Sequence, residues 1–250
     1  MNYLTDLEEA FLDDNFRYLS RAYSERVPLE VIQGEELQSE DELLDVLENM
    51  HTHIESDFFL TTASIFSKRY GYYVVTGFLV LISAFNKCPD VNLSNIRLVR
   101  MDEDKKWFPK LEFLSKEVIQ PEPGEREKWL RESLRKLFRE NLRPILLNVH
   151  ELTRLSMNVL WENFTIYLYW FYETFAEKHF NGEQLAQIYD DFHIIVNELE
   201  GEAFGETDNP LGYFQYQPKL PSGARERKYC CLSYRWNEES GYCKTCPHRC

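Results

Sequence analysis

The chain has 250 residues and a mass of 29.9 kDa, enough for one generous domain, or a domain with a small appended module, that buries about three quarters of its unfolded surface. Its net charge of −14 argues against a nucleic-acid partner, whose phosphates would repel it, and against polybasic docking on anionic lipid. Wholesale disorder is excluded by 44% hydrophobic residues, and 31 Leu against 23 Val plus Ile, with only ten Gly and ten Pro, give straight-chain helix formers the advantage over β-branched and turn residues. The expected fold class is mainly α with a small β-hairpin element.

Leu4, Leu7, Phe11, Leu12, Phe16 and Leu19 recur at helical spacing, and Ser39 with Glu42 has the form of a capping box before LLDVLENM. Phe58 to Arg69 and Tyr72 to Phe85 read as two further helices separated by Gly71, the second too apolar to be anything but interior. That apolar run is 14 residues long, short of the roughly 20 that span a bilayer. The alternation in IRLVRM and WFPKLEF, joined by DEDKK, predicts a hairpin, with Pro109 restricting its second strand to an edge. Helices are expected at Glu125 to Asn141, Pro144 to Leu152, Leu155 to Lys178 and Glu183 to Leu199.

Composition changes near NPLGYFQYQPKLPSG. From Lys219 onward seven bases face three acids, a local charge of +4, whereas residues 1–218 carry −18. Five of the six cysteines (Cys230, Cys231, Cys243, Cys246, Cys250) fall in the last 21 residues. A helical body over 1–218 and a C-terminal functional segment over 219–250 are therefore expected.

Cys230-Cys231, eleven residues, then Cys243-Lys244-Thr245-Cys246 is the strongest chemical signal. The start, MNYLTDLEEAFLDDNF, is acidic where a secretory signal would be basic and then apolar, so a cytoplasmic location is expected. Clustered thiols in that compartment read as metal ligands or redox groups in preference to a disulfide scaffold. Zinc ribbons usually pair two CxxC knuckles around one ion. Adjacent cysteines diverge on an extended backbone and reach a larger two-iron core more easily, which favours iron-sulfur over zinc.

ERKYCCLSYRWNEESGYCKTCP resembles the C-terminal signature of the FhuF-type ferric siderophore reductases, and Trp161-Glu162-Asn163 is similar to that family's W-G-N helix motif, with Glu where Gly is usual. The family's main domain is shared with the C-terminal part of aerobactin-type siderophore synthetases. The resemblance covers roughly Phe58 to Pro247, with residues 1–56 matched weakly. It implies a 2Fe-2S cluster on Cys230, Cys231, Cys243 and Cys246, and one-electron reduction of a ferric hydroxamate or citrate-hydroxamate siderophore that releases ferrous iron. An external ferredoxin- or flavoprotein-like donor would supply the electron, since the chain has no GxGxxG dinucleotide motif. A plant-type centre near about −400 mV suits that chemistry. Arg227, Lys228 and Arg235 are the candidate contacts to an anionic ferric complex. Two rivals accompany this reading: a zinc-stabilised siderophore-binding or scaffold module, and an iron-sulfur redox sensor.

Other candidates have plainer expected roles. Cys250 is expected to be a free terminal thiol, Cys88 a small core or helix-end residue, and the histidines ordinary surface or core residues. Trp161 and Asn163 are candidates for holding the cysteine segment against the body.

Overall fold

The computed structural model describes residues 2–20, 27–101, 106–237 and 240–249. The first helix, α1 (Asp6–Asn15), opens on a reciprocal capping box in which Thr5 accepts from the Glu8 backbone and the Glu8 carboxylate accepts from the Thr5 backbone. α2 (Glu40–His53) begins at Ser39, whose hydroxyl accepts from Glu42 N. α3 (Phe59–Tyr73) runs through a π-helical stretch (Val74–Leu79) into α4 (Val80–Phe85).

Gly71 therefore does not separate two helices, as the sequence suggests. It lies inside α3, where the missing side chain lets another helix approach: a Cβ there would stand 2.8 Å from Phe164 Cα. That neighbour is α7 (Met157–Trp170), whose backbone comes directly against α3 at this point. Packing thus overrides the low helix propensity of glycine.

The remaining helices are α5 (Arg126–Lys136), α6 (Arg143–Thr153), α8 (Ala176–His179) and α9 (Gly182–His193). α5 continues through a π stretch (Leu137–Leu142) into α6, and a further π stretch (Phe171–Phe175) joins α7 to α8. Asn141, on the first of these, is fully buried. It accepts from Tyr70 Oη at 2.7 Å and donates to Val91 O at 2.7 Å, so its amide ties α3 to the 88–92 segment.

The β content is larger than one hairpin. The strands are β1 (Asn2–Tyr3), β2 (Glu30–Gln33), β3 (Cys88–Pro89), β4 (Ile96–Arg100), β5 (Lys110–Phe113) and β6 (Glu117–Ile119). The expected hairpin is the β4–β5 pair, in antiparallel register with Ile96 opposite Phe113; the centre of its turn, 102–105, lies outside the described residues. β2 joins it to give the order β2-β4-β5, while β1-β6-β3 form a second sheet. Strands of two or three residues, as in the second sheet, carry too little periodicity to be read from sequence. The fold is mainly α with two small antiparallel sheets, and no helix among the described residues is long and apolar enough to cross a membrane.

Candidate functional site

From Lys219 onward the chain carries little regular structure beyond a 3-10 turn (Ser233–Arg235), and it is held to the helical body by polar contacts. Arg227 is the centre of that attachment. Its side chain and that of Glu162, on α7, are both completely buried and form an ion pair at 3.1 Å. Arg227 Nη2 donates to Asn163 Oδ1 at 2.7 Å and Nε to Tyr229 O at 2.9 Å. Glu162 also accepts from Tyr213 Oη at 2.5 Å, Lys228 N at 3.1 Å and Tyr229 N at 2.9 Å.

Asn163 passes the attachment to α3. Its Nδ2 donates to Ser64 O and to the hydroxyls of Ser64 and Ser67, and Ser64 Oγ in turn donates to Cys231 O at 2.8 Å. Further along, Trp236 Nε1 donates to Ile54 O at 2.8 Å and Asp57 N to Trp236 O at 3.0 Å. Trp161 takes no part: it packs on Phe164 and Phe204 and donates to Glu206.

Glu162 is the residue that sequence reasoning undervalued. It was legible only as a departure from a motif, yet a carboxylate inside an apolar helix is itself a signal, because burying it without a cationic partner is costly. The three basic candidates occupy different environments. Arg227 is 1% exposed. Lys228 Nζ lies over the rings of Tyr213 and Tyr229 at 5.6 and 5.4 Å, and the Arg235 guanidinium sits 3.9 Å from the Phe58 ring centroid.

The four cysteines meet two by two. Cys231 and Cys243 share a hydrogen bond at 3.6 Å, and Cys230 pairs with Cys246. Leu232, in the left-handed region at φ 58°, turns its N–H back onto Cys230 Sγ at 3.4 Å. Cys231 is 1% exposed and also contacts Ser233 Oγ at 3.0 Å, whereas Cys230 and Cys243 are only partly buried. Adjacent side chains diverge, so the Cys230-Cys231 dipeptide sends one thiol inward and the other outward. Cys88 is far from this chemistry in sequence, buried in β3, and burial pushes its thiol up to about 11. Cys250 lies outside the described residues.

This arrangement corrects the expectation of a cluster. Among the described residues no group of three or more His, Cys, Asp or Glu side chains is placed to hold a metal ion. The 2Fe-2S centre implied for Cys230, Cys231, Cys243 and Cys246 is therefore not supported, nor are the metal-binding and oxidoreductase roles that depend on it. The resemblance to the FhuF-type reductases and the siderophore reductase activity fall with it, and the zinc-stabilised module and iron-sulfur sensor share the same failing. The one close sulfur–sulfur contact, Cys231 to Cys243 at 3.6 Å, is a hydrogen bond between two thiols and not part of a set of three or more ligands. No family model matches the chain, and no curated protein matches it significantly.

The Cys231–Cys243 pair has a distinctive electrostatic state. The hydrogen bond with Cys243, assisted by the charges of Arg227 and Lys68 against the opposing effect of burial, holds the Cys231 thiol down to about 4 from an ordinary value of 9.0. The same hydrogen bond, together with burial, raises Cys243. The opposite shifts make the two sulfurs one coupled unit that shares a proton across the 3.6 Å contact. Because the folded value of Cys231 is depressed, its contribution to stability is fully present above 9.0 and is lost as pH falls through about 4. Cys243, being raised, contributes below 9.0 and loses that contribution as pH climbs through its folded value. Thiolate ultraviolet absorbance should accordingly persist from neutral pH down to about 4 in the reduced protein. Cys231→Ser should abolish that acid-range signal and Cys243→Ser should move its midpoint upward; an unchanged titration in both variants would refute the shared proton.

Proposed function

We propose that the chain is a non-enzymatic thiol switch, in which the 219–250 segment is the responsive unit and the helical body its platform. The carrying observation is the Cys231–Cys243 pair, 3.6 Å apart, in a segment whose Cys231 carbonyl is tied through Ser64 and Asn163 to the buried Arg227. A disulfide needs the sulfurs at about 2.0 Å, so closure requires a shift of the loop rather than a rearrangement of the body. When the bond forms, the Cys231 and Cys243 sulfurs, which hold one proton between them, become one disulfide, and a low-molecular-weight disulfide is reduced to one thiol, which takes that proton, and one thiolate, which is protonated by water. Excess thiol reverses the exchange. A cytoplasmic setting, which keeps the pair reduced at rest, suits such a switch.

Closure acts on a surface that other molecules can read. Tyr242, next to Cys243, is 49% exposed and packs its ring against Tyr234 with centroids 5.0 Å apart. Drawing Cys243 toward Cys231 moves that aromatic pair and the neighbouring Lys244.

The test is direct. Reduced full-length protein treated with oxidised glutathione should lose two thiols, and peptide mapping should find Cys231 joined to Cys243. In Cys243→Ser, a mixed disulfide with glutathione should accumulate on Cys231. If Cys231 and Cys243 stay free under conditions that oxidise an exposed model dithiol, the switch is refuted.

A further inference from the structure

Beside β3 the fold leaves a cleft of about 240 Å³, the volume of about eight water molecules. One wall is a single face of α5 and the π stretch that follows it, because Trp129, Glu132, Lys136 and Glu140 recur every three or four residues. The other is made by Pro89, Asp90 and Val91, with Ile119 of β6, which is 62% exposed, at the mouth. Trp129, Pro89, Val91 and Ile119 make the lining apolar, whereas Asp90, Glu132 and Glu140 set three carboxylates against the single ammonium of Lys136. Lys136 lies 3.5 Å from Glu132 and balances one of those charges. Asp90 Oδ1 accepts from Asn92 N at 3.0 Å and Asn92 Nδ2 at 2.6 Å, which fixes that carboxylate in its loop. A second hollow of about 330 Å³ shares Asp90 and Ile119 and adds Glu117, so approach from that side is acidic too.

This charge pattern favours a cation, but not a bare metal ion: among the described residues no three such groups are placed to hold one. The cation that suits the cleft carries its charge on a larger organic body, and the apolar wall suits a ring. Tryptophan is the side chain whose ring attracts cations most strongly. Trp129 is 8% exposed, and its Nε1 is buried with no hydrogen-bond partner among the described residues, so it also brings a donor that the protein leaves unsatisfied. We propose that this cleft binds a small aromatic amine as its ammonium ion, with the ring against Trp129, Val91 and Ile119 and the charge toward Asp90, Glu132 and Glu140. None of the lining residues belongs to 219–250, so the site stands or falls apart from the thiol switch.

The experiment titrates the full chain, kept reduced, by calorimetry with tyramine, with tyrosol and with 4-hydroxyphenylacetate, three molecules of nearly one shape that are cationic, neutral and anionic. Tyramine should bind at a single site at least about tenfold more tightly than tyrosol, and the anion should not bind. Added salt should weaken tyramine and leave tyrosol unchanged. Glu132→Gln with Glu140→Gln, both at exposed positions, should weaken tyramine by about tenfold and leave tyrosol within about twofold. Ile119→Arg, at an exposed strand position, sets a competing cation at the mouth and should abolish tyramine binding, with circular dichroism showing that the variant is folded. No saturable binding of tyramine below about 5 mM, equal affinity for the three probes, or tyramine binding unaltered in both variants overturns the proposal.

Discussion

Arg227→Met should cost about 3–5 kcal/mol of stability, the penalty for leaving one partner of a buried ion pair uncompensated. Glu162 and Arg227 side chains have no solvent exposure, so water cannot take over the role of the missing charge. The loss should be concentrated in the C-terminal segment, because Arg227 also carries the hydrogen bond to Asn163 that leads through Ser64 to the Cys231 carbonyl. Limited proteolysis should cut the variant within 219–250 well before the helical body, and urea denaturation should show a lowered midpoint. Glu162→Gln combined with Arg227→Met should recover a large part of the loss, since the double change removes both charges together. A single Arg227→Met variant as stable and as protease-resistant as the parent would show that the ion pair does not hold the segment.

Gly71→Leu should be the most damaging single change in the helical body. Helix propensity alone predicts a gain of about 1 kcal/mol on replacing a mid-helix glycine, but a Cβ at this position would lie 2.8 Å from Phe164 Cα and 3.1 Å from its Cβ. Backbone cannot yield as a flexible side chain does, so α3 and α7 must separate, at a cost of about 1–3 kcal/mol or more for the added bulk. The sign of the net effect is therefore destabilising, and even Gly71→Ala should lower the thermal midpoint. The displacement would reach Ser64 and Ser67, one to two turns away on α3, which hold Asn163. Gly241→Ala is the matched control, because a Cβ there meets nothing within 4 Å; its stability should be unchanged. Equal effects at the two glycines would refute the close-approach account.

The correction at the cysteines shows how spacing can bring the right residues together and still mislead about their chemistry. CCx11CxxC brings four thiols into one segment, as its arithmetic requires. How the four thiols meet depends on the turn at Leu232 and on the Ser64 hydroxyl that holds the Cys231 carbonyl. Neither is a property of spacing.

Amino-acid order alone determined the helical class, the α5, α6, α7 and α9 regions, the β4–β5 pairing and the change of character near Lys219. Each of these rests on local periodicity, capping or composition, which act over one or two turns of chain. Only the tertiary structure decided that Gly71 is a contact point and not a break, because the reason lies on Phe164, far along the chain. It also decided that short strands at residues 2–3, 88–89 and 117–119 assemble into a sheet, where pairing supplies what two or three residues cannot signal. The largest such decision concerns Glu162 and Arg227. In sequence one is an oddity in an apolar helix and the other a base in a basic tail. Burial turns them into a single ion pair that anchors the segment, because an isolated charge in the interior is too costly to leave without its counterpart.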